Sequence, residues 1–411
     1  MGADRAPAQP PEPPVSDARF LRLREPAFWA YAAIVAATGV YAVSEQALFR
    51  RISPTGWALS WLLLAVYSLP VFLAVYFLDL YEREPLSLVF AALVWGAIAA
   101  TTLAGVANEG WGLVVARAGG PEFASRWTAA LTAPWVEETL KAGGVVLIVL
   151  LARDEVDDVM DGFVYGAVCG LGFAVVEDVF YFLGVFGGTP SGVLAGFYVR
   201  VVSSGLYGHV LFTGLMGMGI AYFAAHRKEE PLHRRVTVAS GLFLAAVSGH
   251  LLWNSPILDL FPRKIQGPGD WLLIPAAVVV KGLPLVGFVA VAVVLARRRE
   301  HRWLEAALRS EVGSPWLSSV ELGVLLDPLA RRRSRRDMRV RAGPRAARLL
   351  GRLQREQVNL AMLGARPRSE DDPALERQRE LCQSLRDALM AMPGAAPAGG
   401  RGAGPPLARL P

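Results

Sequence analysis

The sequence predicts an all-α, polytopic transmembrane helix bundle of about eight spans, followed by a cytoplasmic C-terminal extension. Three observations carry that prediction. Of the 411 residues, 53% are hydrophobic, and the mean hydropathy is +0.36. The apolar residues gather in runs of about twenty, the length a helix needs to cross ~30 Å of hydrocarbon. The basic residues flank those runs and crowd the tail, so the net charge of +6 reports orientation before it reports a nucleic-acid partner. Two cysteines, Cys169 and Cys382, are too few for a disulfide framework.

Residues 1–26 are Pro-rich and polar, and read as a disordered cytoplasmic tail with no cleavable signal peptide. The transmembrane domain spans 27–296. Its apolar runs lie at Ala27–Val43, Trp57–Leu78, Pro85–Ala107, Trp127–Ala152, Asp161–Phe186, Val199–Ala225, Val236–Asn254 and Trp271–Ala296. Asn108–Arg126 mixes Trp, Gly and Arg, and reads as an interfacial helix or loop. Residues 297–393 form a basic, amphipathic helical extension containing "ARRRSRRDMRVR" (Ala330 to Arg341), and 394–411 are a low-complexity disordered tail. The basic run suits anionic lipid or nucleic acid; a solvated juxtamembrane face is the simpler reading, and no nucleic-acid partner is expected.

Alternate loops differ in basic residues. One side carries about fourteen near the membrane: those of the N-terminal tail, Arg83, Arg153, "HRKEEPLHRR" and "RRREHR". The other carries Arg50, Arg51, Arg117, Arg126, Arg263 and Lys264. The positive-inside rule then puts both termini in the cytoplasm of a multi-pass cell-membrane protein.

Polar groups inside the spans are few, and each is costly in hydrocarbon without a partner or a function. They are Glu137, Glu138 and Lys141 in the fourth span, Glu177 and Asp178 in the fifth, His209 in the sixth, His250 and Asn254 in the seventh, and Lys281 in the eighth. Lys141 lies four residues from Glu137 and three from Glu138, within helical reach of both carboxylates. It can hold one as an ion pair and leave the other to act as a base. His250 and Asn254, four apart, share a face and suit a developing oxyanion. Together these groups would activate a water and attack a peptide bond. Counted along the spans, Glu137, Glu177, His209, His250 and Lys281 all fall 14 to 16 residues from the cytoplasmic end, about 21–24 Å deep. Simpler readings exist for each: a structural Glu–Lys pair, a histidine bonding two helices, a snorkelling Lys281. Gly162, Gly166 and Gly170 form a small-xxx-small stripe for close helix packing.

The ordered set "DLYEREP" (Asp79–Pro85), "EETLK" (Glu137–Lys141), "DGFVYGAVCGLGFAVVED" (Asp161–Asp178), His209 and "HLLWN" (His250–Asn254) resembles the PrsW family of intramembrane proteases. That family is distantly similar to the CAAX-prenyl endopeptidase and bacteriocin-processing (CPBP, or Abi) superfamily. The resemblance implies Glu137 as the water-activating base, His209 or His250 as its partner and Asn254 as an oxyanion donor. It departs from the superfamily's EExxxR and FxxxH motifs, since the lysine comes one position early and the fourth residue after Phe173 is Glu177. It also implies a membrane-protein substrate cut near the outer face, such as a single-span anti-sigma factor. His209, His250 and a glutamate, Glu177 being one candidate, would form a zinc (Zn2+) site; a metal-free glutamate mechanism uses the same residues and is slightly preferred. A proton-coupled transporter and a non-catalytic membrane scaffold are the rival functions.

Overall fold

The computed structural model describes residues 20–78, 83–153, 156–203, 208–256, 270–365 and 373–395. The expectations for residues 1–19, for most of "DLYEREP", for Arg263 and Lys264 and for residues 396–411 lie outside the described residues. The chain divides into two compact units. The bundle unit is formed by Ser16–Asp79 and Arg83–Arg297, and the C-terminal unit is formed mainly by Arg298–Pro411.

All the regular elements of the bundle unit among its described residues are helices. Helices α1 (Pro26–Ile52) and α2 (Pro54–Tyr76) each begin with a proline, whose fixed φ and missing N–H suit a first turn. α3 (Leu86–Val94) passes through a π-helical segment, Trp95–Ala100, into α4 (Thr101–Leu131). α5 (Ala133–Leu151) follows a break at Thr132, again opened by a proline, Pro134. α6 (Val159–Phe180) starts from a capping box of Asp158 and Asp161. Next come α7 (Pro190–Phe197), a π-helical segment Tyr198–Ser203, α8 (His209–Ala225), α9 (Leu232–Asn254) and α10 (Asp270–Ser310).

Among the described residues, six stretches are long and apolar enough to cross a membrane: Pro26–Ile52, Pro54–Tyr76, Leu86–Leu151, Val159–Val185, Leu232–Asn254 and Val279–Ser310. Leu86–Leu151 holds 66 residues, far more than one crossing needs, and contains both the third and the fourth expected runs. Two expectations need correction, and one is narrowed. Of the helix or loop expected at Asn108–Arg126, it is the helix that forms, as part of α4, bending at Gly120 (φ 82°) before Pro121. The Val199–Ala225 run is not one helix: α8 starts only at His209, behind Gly208, whose φ of 92° is a left-handed conformation suited to glycine. The 41-residue α10 continues past Ala296 to Ser310.

α6 lies at the centre of the bundle unit. Eighteen of its 22 residues are buried, so it has no solvent face to mark it as amphipathic. Its glycine stripe explains the contact with α8. A Cβ at Gly162, Gly166 or Gly170 would overlap the backbone carbonyls of Gly217, Thr213 and His209 in turn, so the two backbones touch once per turn. Gly172 meets Leu93 O in the same way on the other side, and the Glu84 carboxylate accepts a hydrogen bond from Tyr165 Oη. Trp95 lies against Gly144 and donates from Nε1 to Leu140 O (2.9 Å), which fixes α5.

In the C-terminal unit, α11 (Ser319–Leu326), α12 (Pro328–Ala365) and α13 (Pro373–Met390) enclose their own apolar clusters. One is centred on Leu353, Leu381 and Leu385, the other on Leu304, Leu325 and Val358. α12 bends at Gly343 (φ 85°), ahead of Pro344.

Candidate active site

Four helices bring the titratable side chains of the sequence pattern together. α5 carries Glu137, Glu138 and Lys141 in its first turns, and all three are buried. α6 carries Glu177 and Asp178. α8 begins with His209, set by the glycine contact at the level of Gly170, and α9 carries His250.

The two adjacent glutamates are treated differently. Glu138 is saturated: Oε1 accepts from Lys141 Nζ (2.7 Å) and lies 3.0 Å from His250 Nδ1, while Oε2 accepts from Thr213 Oγ1 (3.2 Å). Among the described residues Glu137 has one hydrogen bond, from Asn108 Nδ2 to Oε1 (3.1 Å). Its Oε2 is buried without a hydrogen-bond partner among the described residues. That atom lies 3.9 Å from His209 Nδ1, 3.9 Å from His250 Nε2 and 3.7 Å from Lys141 Nζ. A buried acceptor left open costs free energy, so an unsatisfied carboxylate oxygen between two imidazoles is where a ligand or a reacting group fits.

Proton positions follow from the partners. Lys141, fully buried and 4.2 Å above the Phe173 ring, has only protons to give as an ammonium. His209 Nδ1, 2.9 Å away, therefore accepts, and His209 Nε2–H points at Glu177 Oε2 (3.1 Å). His250 donates from Nδ1 to the Glu138 carboxylate, and its Nε2 lies 3.9 Å from Glu137 Oε2. Its ring is stacked on Phe212 (centroids 4.9 Å, 13°) and meets His209 edge-on at 5.1 Å.

Glu177 and Asp178 form a clamp with Arg200, a residue the sequence reading passed over. Arg200 donates from Nη2 to Glu177 (2.7 Å) and from Nε to Asp178 (2.5 Å), and lies over the Tyr181 ring at 3.6 Å. Its signal was a single arginine within an apolar run. Asn108 was also missed, because its stretch read as interfacial. Lys281 is a tie at the end of α9, donating to the carbonyls of Trp253 (3.1 Å) and Ser255 (2.9 Å). Asn254 donates from Nδ2 to Ala129 O (3.1 Å). Lys141 Nζ lies 3.7 Å from Glu137 Oε2, 2.7 Å from Glu138 Oε1 and 2.9 Å from His209 Nδ1.

Glu137, Glu177, His209, His250 and Asn254 line one cavity of about 820 Å³. That is the size of a substrate pocket. Glu137, His209 and His250 each offer a ligand atom within 4.8 Å of the other two. The glutamate of this trio is thus Glu137, while Glu177 sits on the far nitrogen of His209. Two imidazoles and a carboxylate are a catalytic zinc donor set, and the His250–Glu138 hydrogen bond is the kind that orients a metal-bound histidine. The open Glu137 Oε2 and His250 Nε2 fit such an ion; His209 Nδ1 would exchange Lys141 for it.

A profile of the family described as PrsW family intramembrane metalloprotease matches residues 84–294. Protease PrsW of Geobacillus kaustophilus (strain HTA426) is 30% identical over 205 residues, covering 48% of this chain and 72% of that protein. No solved structure matches.

Proposed function

The chain belongs to the PrsW family of intramembrane metalloproteases, and on that premise we propose that it hydrolyses a peptide bond of a membrane-protein substrate with Glu137 as general base. The observation that carries this reading is the buried, unpartnered Glu137 Oε2 facing His209 and His250. Glu138 is not the base, because both its oxygens are engaged.

Asn108 holds Glu137 by Oε1 and leaves Oε2 free to take a proton from water. The water oxygen attacks the carbonyl carbon, and the carbonyl oxygen becomes an oxyanion. Asn254 keeps one amide proton on Ala129 O and offers the second to that oxyanion. The C–N bond then breaks, and the proton on Glu137 passes to the leaving amine. Glu177, held by Arg200, fixes the His209 ring through Nε2, and Lys281 supports the end of α9. Were Zn2+ held by Glu137, His209 and His250, it would supply an acidified water and a polarised carbonyl, and Glu137 would then serve as a ligand and not as the base. The family's description as metalloproteases supports this second reading.

The substrate is a single-span membrane protein of the anti-sigma-factor kind, cut in the outer half of the cell membrane, with both chain termini cytoplasmic. The kind of substrate is what the family resemblance implies, while the outer-half cut and the cytoplasmic termini rest on the loop-charge asymmetry and the common depth of the polar residues. The more distant kinship with the CAAX-prenyl endopeptidase superfamily rests on the paired glutamates alone.

Co-expression with tagged single-span candidates tests the reading. Glu137→Gln should keep its membrane level and lose at least ~10²-fold in cleavage. Undiminished cleavage by Glu137→Gln would move the chemistry elsewhere. Elemental analysis should find zinc bound stoichiometrically and lost in a His209→Ala/His250→Ala double variant; activity that survives exhaustive chelation would restore the metal-free mechanism.

A further inference from the structure

The basic run of the C-terminal unit has a geometry that simple solvation does not explain. In the first half of α12, Leu329, Arg332, Arg333, Arg336 and Val340 recur at i, i+3, i+4, i+7 and i+11, which is one face of a helix. All five are exposed, Leu329 at 58% and Val340 at 82%. Arg339 is exposed on the flank. The reverse face turns inward through Arg331 and Met338. Arg335, on that side, donates to Gln354 Oε1 (2.9 Å), whereas Arg332, Arg333, Arg336 and Arg339 have no hydrogen-bond or ion-pair partner among the described residues. Asp337 is the only acid between Pro328 and Arg341.

A purely solvated face has no use for two prominent aliphatic side chains in line with its arginines. A single-stranded nucleic-acid surface would interleave aromatic rings for base stacking, and Pro328–Arg341 contains none. Guanidinium groups interspersed with exposed aliphatics match the headgroup region of an anionic bilayer, where charge meets phosphate and apolar side chains reach the acyl boundary. The unit also follows in the chain on α10, whose Val279–Ser310 stretch is long and apolar enough to cross a membrane.

We propose that the Leu329–Val340 face of α12 docks on an anionic membrane surface, with Arg332, Arg333, Arg336 and Arg339 on lipid phosphates and Leu329 and Val340 at the acyl boundary. The proposal is independent of the proteolytic site. To test it, the full chain carrying Val340→Cys, labelled with a polarity-sensitive dye, is reconstituted in nanodiscs of phosphatidylcholine with or without phosphatidylglycerol. The native Cys169 and Cys382 are buried and should not compete for label. A blue shift is expected only with phosphatidylglycerol, and it should vanish near ~1 M salt, where the Debye length falls to ~3 Å. An Arg332→Gln/Arg333→Gln/Arg336→Gln variant should lose the shift, and the matching Arg→Lys variant should keep it. Equal spectra in both discs, a shift that survives the glutamine variant, loss in the lysine variant, or a shift produced by added RNA in phosphatidylcholine discs would each overturn the proposal.

Discussion

The two units contain the same local arrangement of opposite charges and use it differently. In the bundle unit, Lys141 and Glu138 stand three residues apart on α5, 2.7 Å from each other and fully buried. In the C-terminal unit, Arg379 and Glu376 stand three apart on α13, 2.6 Å from each other, with 24% and 57% of their side chains exposed. Arg379 also bonds Glu311 (2.8 Å), and Arg386 lies 3.2 Å from Glu321. Spacing makes the contact in both places, and burial decides its consequence. An exposed pair trades water for a partner at little gain, whereas a buried pair becomes indispensable once formed, since either charge alone would be stranded.

The sharpest way to break this contrast is Lys141→Ala. It strips the cation from two buried carboxylates, and the expected loss is about 3–5 kcal/mol, enough to remove folded protein from the membrane fraction. A thermal-stability assay in detergent checks this; a normal melting temperature would mean that the site is wetter than its burial implies. Next in size is Gly166→Leu, whose side chain overlaps Thr213 O of α8. It should cost about 1–3 kcal/mol or more, whereas Gly241→Ala on α9, where a Cβ meets nothing, should be neutral or stabilising.

Smallest are the changes in the C-terminal unit. Arg379→Ala should cost at most ~1 kcal/mol, diminishing with salt. Burial pushes the Cys382 thiol from its ordinary value up to about 12. The folded unit therefore holds the thiol proton after the unfolded chain has lost it, so this residue's contribution to stability is constant below about pH 9 and falls between 9 and 12. Maleimide labelling at pH 8 should accordingly be slow until denaturant is added.

Charge inside apolar runs made Glu137, Glu138, Lys141, His209 and His250 visible as candidates, and the glycine stripe of α6 was equally plain. The division of labour between Glu137 and Glu138 was not. Helical spacing puts both within reach of Lys141, but saturation of Glu138 depends on Thr213 and His250, 75 and 112 residues away. The start of α8 was hidden for another reason. Hydropathy is continuous through Val199–Ala225, while the break is a backbone matter at Gly208. Arg200 was absorbed into that same run, and Asn108 into a stretch read as interfacial.

The α6–α8 contact has a consequence for how the site can change. Gly162, Gly166 and Gly170 mesh with carbonyls at the same four-residue interval on α8, so the two helices interlock like a toothed rack. Partial sliding would drive each carbonyl into the next side chain, and the next matching position is four residues away, about 6 Å along the axis. His209, at the first tooth of α8, therefore has discrete settings: engaged with Lys141 and Glu177, or displaced by far more than any of its hydrogen bonds can span.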